Sequence, residues 1–308
     1  MKLFIASLDD VPNHLEASAI SIGNFDGVHL GHQRLIEQLI EVSAKRGIPS
    51  IVVTFNPPPA AVLYPDTVPP ALTWIERRAE LLHSLGVDIV VALPTDIQLL
   101  SLSAEDFFHQ ILLKRLKAKA IVEGPNFRFG KNRLGDIDML ERLCLAQGLE
   151  FQTVSVIQSE GDWISSSRIR KLIVEGEMAS ANRMMTQPYR IAGRVGSGAG
   201  RGTGLGFPTA NLFDIQVLVP AHGVYAGRGS IEQKSYPVAI HIGPNPTFGE
   251  SNSKVEAHFI GAQLDLVGKR VELEILERIR TVRKFESIDL LREQLHRDLA
   301  ETRRIASL

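Results

Sequence analysis

Two histidines three residues apart, His29 and His32, follow a glycine-containing turn at the end of an apolar run in AISIGNFDGVHLGHQRLI, residues 19–36. Side chains three apart on a helix lie on one side of a single turn. At a helix start the unpaired backbone N–H groups form a ready anion site. Imidazoles beside it suit a reaction in which phosphate oxygens gain charge in the transition state and need positioned donors. Neither histidine need be a nucleophile, and Gly31 between them leaves room for a bulky ligand. Taken alone, His-x-x-His is more often a cap with two solvated histidines, and zinc would lack a third ligand nearby.

Two further stretches carry phosphate chemistry. ISSSRIRKLI (164–173) places Ser165, Ser166 and Ser167 at a helix start, followed by Arg168 and Arg170, donors suited to pyrophosphate oxygens. GSGAGRGTGLGFPTANL (196–212) is dense in glycine yet has no correctly spaced Gly-x-Gly-x-x-Gly, and Pro208 opposes the helix such a fingerprint opens. Gly200, Gly202 and Gly206 would instead let backbone amides approach phosphate, with Thr209 and Asn211 as oxygen ligands on one side of an extended segment. Magnesium-bound ATP would suit that loop. No Walker-type phosphate loop exists at Gly130-Lys131, because the spacing from Gly124 is one residue too long and Asn132 replaces the required Ser or Thr.

These groups need elements to hold them. From Ala19 to about Met185, β-rich runs (19–22, 50–55, 88–93, 119–124 and 149–156) alternate with helical periodicity. Leu35, Ile36, Leu39, Ile40 and Val42 share a helical face closed by Gly47. Thr73–Glu76 reads as a capping box opening a helix that stops at Gly86, and Ser103 opens another. Such alternation predicts right-handed βαβ units, a mostly parallel sheet and ligands at the carboxyl ends of its strands, a Rossmann-like α/β domain.

After TQPYRIAGRV (186–195) the rhythm changes to glycine-separated apolar runs, GVYAGRGSI, SYPVAIHIG, KVEAHFIG and KRVELEILERI. Strands at hairpin spacing predict a small antiparallel β-barrel. The chain closes with a helix whose stripe is Ile288, Leu291, Leu295 and Leu299, expected to dock on that barrel. The boundary is expected at Thr186–Pro188, giving domains 1–186 and 187–308.

Composition narrows the partners. The 308 residues carry 34 Lys+Arg against 35 Asp+Glu, a formal charge of −1, so no basic excess advertises a nucleic-acid or membrane surface, and small molecules are favoured. Oligomeric state leaves no mark in the pattern. Cys144 rules out an intrachain disulfide and sits on an apolar helical face, where inert burial is expected. The N-terminal stretch has too short an apolar run for a secretory signal, and no segment is apolar enough to span a bilayer, so a cytoplasmic location is expected.

GNFDGVHLGHQ resembles the signature of the nucleotidyltransferase superfamily, whose His-x-Gly-His motif binds ATP phosphates, and specifically that of bacterial FAD synthetases. ISSSRIRKLI looks like that family's Ile-Ser-Ser-Thr-x-x-Arg motif, with Ser167 for the usual threonine. GPNFRFGKNRLGD (124–136) resembles its substrate loop, with Asn126, Phe127, Arg128 and Phe129 matching. LGFPTAN is similar to riboflavin kinases, whose threonine and asparagine serve the metal and phosphates, and GVYAG, IGPNPTFGE and KVEAHFIG extend the match.

The resemblance, to bacterial bifunctional riboflavin kinase/FAD synthetases, covers nearly the whole chain in order. It implies that the barrel makes FMN from riboflavin and ATP with Mg2+, and that the α/β domain adenylylates FMN to FAD. It implies catalytic roles for His29, His32, Arg170 and Glu256. Nucleotide or substrate contacts would come from Gly23, Asn24, Phe25, Asp26, Gly27, Gly31, Asn126, Arg128, Ser165, Ser166, Ser167, Arg168, Gly200, Gly202, Gly206 and Pro208. Thr209 and Asn211 would hold the metal. Glu256, a carboxylate, suits general-base work on a primary hydroxyl attacking a γ-phosphate.

The chain departs from the family pattern at Pro58, where a histidine is common, at Trp163, where a basic residue is frequent, and at His241, where asparagine is usual. The first two admit an alternative, a riboflavin kinase with an impaired adenylyltransferase half. Another small-molecule adenylyltransferase would leave the Pro-Thr-Ala-Asn barrel unexplained. A flavin-binding protein without catalysis is opposed by the intact polar residues, and a class I aminoacyl-tRNA synthetase by the balanced charge.

Overall fold

The computed structural model describes residues 2–155, 158–159, 162–197, 206–231, 234–249, 251–262 and 265–307. The chain divides into two compact units, Met1–Pro69 with Trp74–Ser165, and Pro70–Thr73 with Ser166–Leu308. Among the described residues no helix is long and apolar enough to cross a membrane.

In the first unit the unbroken apolar runs are strands buried on both faces, as expected of a parallel sheet covered by helices. Strands β1 (Leu3–Ile5), β2 (Ser18–Ile22), β3 (Ser50–Asn56), β4 (Ile89–Pro94), β5 (Ala118–Glu123) and β6 (Glu150–Thr153) lie in the order β1-β4-β3-β2-β5-β6, every pair parallel. Alternate side chains take opposite faces. Ile20, Ile22, Ile51 and Val53 join a core with Phe108, Leu112, Leu140 and Cys144, while Ala19, Val52 and Val122 join Ile36, Leu39 and Leu82 on the other side. From β2 the chain winds through β3 and β4 in one direction, then returns to β5 and β6 in the other. The crevice between β2 and β5 is therefore the topological switch point, where open α/β sheets bind ligands.

Helices of this unit are α1 (Leu30–Arg46), α2 (Pro59–Leu63), α3 (Ile75–Ser84), α4 (Ile97–Ser101), α5 (Ala104–Asp106), which runs into a π-helix (Phe107–Arg115), and α6 (Ile137–Ala146). Gly47 ends α1 at φ 65°, as the pattern predicts. Helix α3 begins at Ile75 with Trp74 as its N-cap, one residue beyond the Thr73 expected to open it, and Trp74 makes no side-chain cap bond. Burial pushes the Cys144 thiol up to about 12, which leaves it inert. A two-residue hairpin, β7 (Gln158–Ser159) with β8 (Asp162–Trp163), lies late in this unit.

The second unit is a closed six-stranded antiparallel barrel. Strands β9 (Arg190–Gly196), β10 (Ala210–Phe213), β11 (Gly223–Ile231), β12 (Lys234–Gly243), β13 (Lys254–Phe259) and β14 (Arg270–Arg280) run in the order β10-β13-β12-β11-β14-β9, and β9 pairs back onto β10. Closure removes the sheet edges. Tyr225, Ile240, Ile242, Ala257, Leu273 and Ile275 are buried without measurable exposure. Helices α7 (Ser166–Glu175) and α8 (Met178–Asn182) belong to this unit; Asn182 Nδ2 donates to the carbonyls of Ile275 (2.9 Å) and Leu276 (3.0 Å), and its Oδ1 accepts from Tyr189 N–H (2.8 Å).

Helix α9 (Ile288–Ala306) packs on the barrel, but its buried stripe differs from the expected one. Ile288 is exposed, and the buried positions are Leu291, Asp298, Thr302, Ile305 and Ala306. The stripe is polar at its centre because Asp298 receives the Arg280 guanidinium through bonds of 2.8–3.1 Å, a pairing that hydrophobic periodicity does not register.

Candidate active sites

The turn after β2 is built from unfavourable backbone. Phe25 (φ 46°), Gly27 (φ 83°) and Val28 (φ 40°) all adopt the left-handed region. For the two side-chain-bearing residues this costs of order 1–3 kcal/mol each, and such strain persists only where the surroundings over-determine it. Here Phe25 and Val28 are both buried. Asp26, also buried, accepts from Arg78 Nη2 at 3.2 Å; Arg78 Nη1 donates to Thr54 Oγ1 at 3.1 Å, and Thr54 Oγ1 donates to the Asn24 carbonyl at 3.0 Å. The turn is thus tied to α3 and β3.

That turn delivers His29 as the N-cap of α1. His29 Nδ1 accepts from the His32 N–H and His32 Nδ1 accepts from the His29 N–H, both at 3.3 Å, a capping box made of two imidazoles. With each Nδ1 an acceptor, each ring carries its proton on Nε2. The rings stack with centroids 3.6 Å apart and planes 14° apart. Burial lowers the His29 pKa to about 4 against the opposing charge of Asp26. Burial, then the neighbouring His29 and Arg78, hold His32 well below the usual 6.5. Both side chains are neutral at pH 7 and donate through Nε2–H. A Cβ on Gly31 would lie 3.1 Å from the His29 ring, so the missing side chain makes room first for His29 itself.

A cavity of about 260 Å³ opens at the carboxyl ends of β2 and β5. Of the expected residues, Gly23, Phe25, His29, Gly31, His32 and Asn126 line it, together with Phe127. Asn24, Asp26 and Gly27 shape the turn, and Arg128 pairs with Asp136 at 3.4 Å. Phe127 stacks on Phe129, whose ring is buried against Phe107. Ser165 ends the first unit, whereas Ser166, Ser167, Arg168 and Arg170 lie on α7 of the second, where Arg170 Nε donates to the Pro70 carbonyl at 2.8 Å.

Glu123, which motif reading passes over, also lines this cavity and is only 2% exposed. Its Oε1 accepts from Ile22 N–H at 2.6 Å, bridging β5 to β2 at the switch point. Burial raises its pKa well above 4.5, against the opposing hydrogen bonds of the Ile22 and Gly124 amides and the Ser21 side chain. The visible signal is a charged residue ending the otherwise apolar run AIVE, residues 120–123.

On the barrel, strand register aligns polar residues in a row. Asn211 on β10 pairs with Glu256 on β13, Glu256 with His241 on β12, His241 with Val224 on β11, and Val224 with Arg280 on β14. Directly opposed residues share a face, so Asn211, Glu256 and His241 are neighbours on one face. Asn211 is buried, Thr209 is exposed just before β10, and the Pro208 carbonyl accepts from His258 Nδ1 at 2.8 Å. Gly206 has φ 89°, and Gly200 and Gly202 lie outside the described residues. Asn245, unremarked within IGPNPTFGE, donates from Nδ2 to Glu256 Oε2 at 3.1 Å.

Among the described residues no group of three His, Cys, Asp or Glu could hold a metal ion. The hydroxyl of Thr209 and the amide oxygen of Asn211 are hard donors that suit magnesium bound chiefly through substrate phosphates.

The FAD synthetase family matches residues 11–168 and the riboflavin kinase family residues 185–306. Over 301 residues the chain is 33% identical to the bifunctional riboflavin kinase/FMN adenylyltransferase of Escherichia coli (strain K12), covering 97% of this chain and 96% of that protein. Over 297 residues it is 34% identical to the protein of the same description from Pseudomonas fluorescens, covering 96% and 95%. A crystal structure described as a macrolide-efflux protein from Streptococcus pneumoniae has a TM-score of 0.87 at 30% identity, covering 98% of this chain and 99% of that one. With both family signatures in succession and relatives matched from end to end, the chain belongs to the bifunctional riboflavin kinase/FMN adenylyltransferase family.

Proposed function

We propose that the chain phosphorylates riboflavin with ATP to FMN in a C-terminal domain, 187–308, and adenylylates FMN with ATP to FAD in an N-terminal domain, 1–186. The observation that carries the reading is the pair of neutral, mutually capped histidines at a switch-point cavity, on a chain whose barrel sets Asn211 beside Glu256.

In the adenylyl transfer, an FMN phosphate oxygen forms a bond to the α-phosphorus of ATP, and the bond to the bridging oxygen of pyrophosphate breaks. The attacking phosphate is already anionic at neutral pH, so no base is needed. What lowers the barrier is hydrogen-bond donation to oxygens that gain charge, the task suited to the Nε2–H groups of His29 and His32. Ser165, Ser166, Ser167, Arg168 and Arg170 supply donors for the departing pyrophosphate.

In the kinase reaction the riboflavin 5′-hydroxyl oxygen bonds to the γ-phosphorus, the β–γ bridge breaks, and ADP leaves. The hydroxyl proton passes to Glu256. Thr209 and Asn211 would hold magnesium, which neutralises phosphate charge when bound. Gly206 and Pro208 shape the phosphate loop. Substrates and products are the small molecules ATP, riboflavin, FMN and FAD, without nucleic acid or membrane partners. We place the reactions in the cytoplasm, where ATP is available and Cys144 stays reduced.

Incubation with riboflavin, ATP and magnesium, followed by separation of the flavins, tests the reading. FMN should appear first and FAD after it, and excess chelator should stop both. FMN without FAD would select the kinase with an impaired second half, and no product at all would remove the proposal.

A further inference from the structure

The strand register sets His241 directly opposite Glu256, yet His241 Nε2 makes its hydrogen bond elsewhere, to the Pro244 carbonyl at 3.2 Å. A carbonyl only accepts, so Nε2 carries the proton and His241 is the donor. Pro244 follows Gly243, which has φ 132°, and proline lacks an N–H with which to brace the turn. The next residue, Asn245, sends Nδ2 to Glu256 Oε2 at 3.1 Å. Two hydrogen bonds thus run from His241 through a three-residue turn and back to the carboxylate opposite it.

We propose that His241 is a positioning residue of the kinase half: it fixes the Pro244–Asn245 turn, and through Asn245 it aims the Glu256 carboxylate. The proposal rests on the reading of Glu256 as the base. A general base must meet its proton within hydrogen-bond reach, and a carboxylate held at one oxygen presents the other in a defined direction. Burial keeps His241 below its usual pKa against the pull of Glu256, while Arg280 on its other side also disfavours a second proton. The neutral Nε2–H form is the one the turn requires.

The test compares His241→Leu, which removes the donor and keeps bulk, with His241→Gln, whose amide nitrogen can occupy the Nε2 position. Full-length variants are assayed for riboflavin phosphorylation and, separately, for conversion of supplied FMN to FAD, which reports on folding and active concentration. His241→Leu should lose about tenfold in kcat for phosphorylation, the scale of one hydrogen bond, with KM for riboflavin and ATP within about twofold. His241→Gln should recover most of that loss. Asn245→Ala should resemble His241→Leu, and the double variant should be no worse than either, since the bonds act in series.

Unchanged kcat in His241→Leu, a rise in KM alone, equal losses in Leu and Gln, or multiplying losses in the double variant would each overturn the proposal. Glu256→Gln is measured alongside. If it still phosphorylates riboflavin at the normal rate, the reading of the base falls; if it is inactive while His241→Leu is unimpaired, only the role of His241 falls.

Discussion

His29 and His32 cap one another: each Nδ1 accepts the other's backbone N–H at 3.3 Å, and the stacked rings stand 3.6 Å apart. At that spacing two imidazolium charges would repel in a poorly solvated site, so the arrangement favours two neutral rings with both Nε2–H donors available. The helix cap and the proposed donor set are the same object.

Proton NMR of the ligand-free protein should therefore find His29 titrating near pH 4 and His32 well below 6.5. The unfolded chain takes up protons on these histidines as pH falls below 6.5, whereas the folded chain refuses them down to about 4, so stability declines across that window. Two ordinary midpoints near 6.5 would show that the rings are not buried as described.

Substitution should separate the two chemistries. His29→Ala or His32→Ala should slow FAD formation from FMN by roughly 10² to 10³, the scale of a lost transition-state donor, and leave riboflavin phosphorylation intact. Glu256→Gln should do the reverse, with a loss of about 10² to 10⁴ in phosphorylation. Circular dichroism establishes that each variant is folded. A folded His32→Ala protein that makes FAD at the normal rate would return the histidines to the role of a helix cap.

Arg78 and Asp26 form an ion pair whose side chains are 6% and 9% exposed. Arg78→Met should cost about 3–5 kcal/mol by leaving a buried carboxylate without its partner. Adding Asp26→Asn should restore much of that stability, because the stranded charge is gone. Denaturant titrations of the two variants decide, and equal stabilities would contradict the pairing.

Glu123 gives a pH signature of opposite sign to the histidines. Its folded pKa is raised, so as pH climbs above 4.5 the unfolded chain releases a proton that the folded chain retains, and stability falls. Glu123→Gln keeps an acceptor for Ile22 N–H and has no proton to lose. Its melting temperature should exceed that of the natural chain by a margin that grows between pH 5 and pH 8.5. A constant margin would mean that Glu123 titrates normally.

The proposed boundary near Thr186–Pro188 can be tested against the contacts of α8. A fragment beginning at residue 166 retains Asn182 and its bonds to Ile275, Leu276 and Tyr189, whereas one beginning at 187 lacks them. The longer fragment should melt higher, and both should phosphorylate riboflavin if the kinase domain is autonomous. Equal melting temperatures would show that α8 adds nothing to the barrel.

The sequence by itself determined the alternation of buried strands and amphipathic helices, the change to hairpin-spaced strands after residue 195, and the residue types around His29 and Glu256. Those properties are local: periodicity reports which face an element buries, and a motif reports which groups stand near one another along the chain. Tertiary structure alone decided what distant residues do to each other. Arg78 reaches Asp26 across 52 positions, Glu123 reaches Ile22 across 101, and Asp298 takes Arg280 beneath a helix whose apolar pattern pointed elsewhere. The row Asn211–Glu256–His241 exists only because three strands pair in one register. Burial then sets protonation, since the cost of a charge depends on the surrounding protein and not on neighbours in sequence, and so the neutral state of both histidines was fixed by the fold.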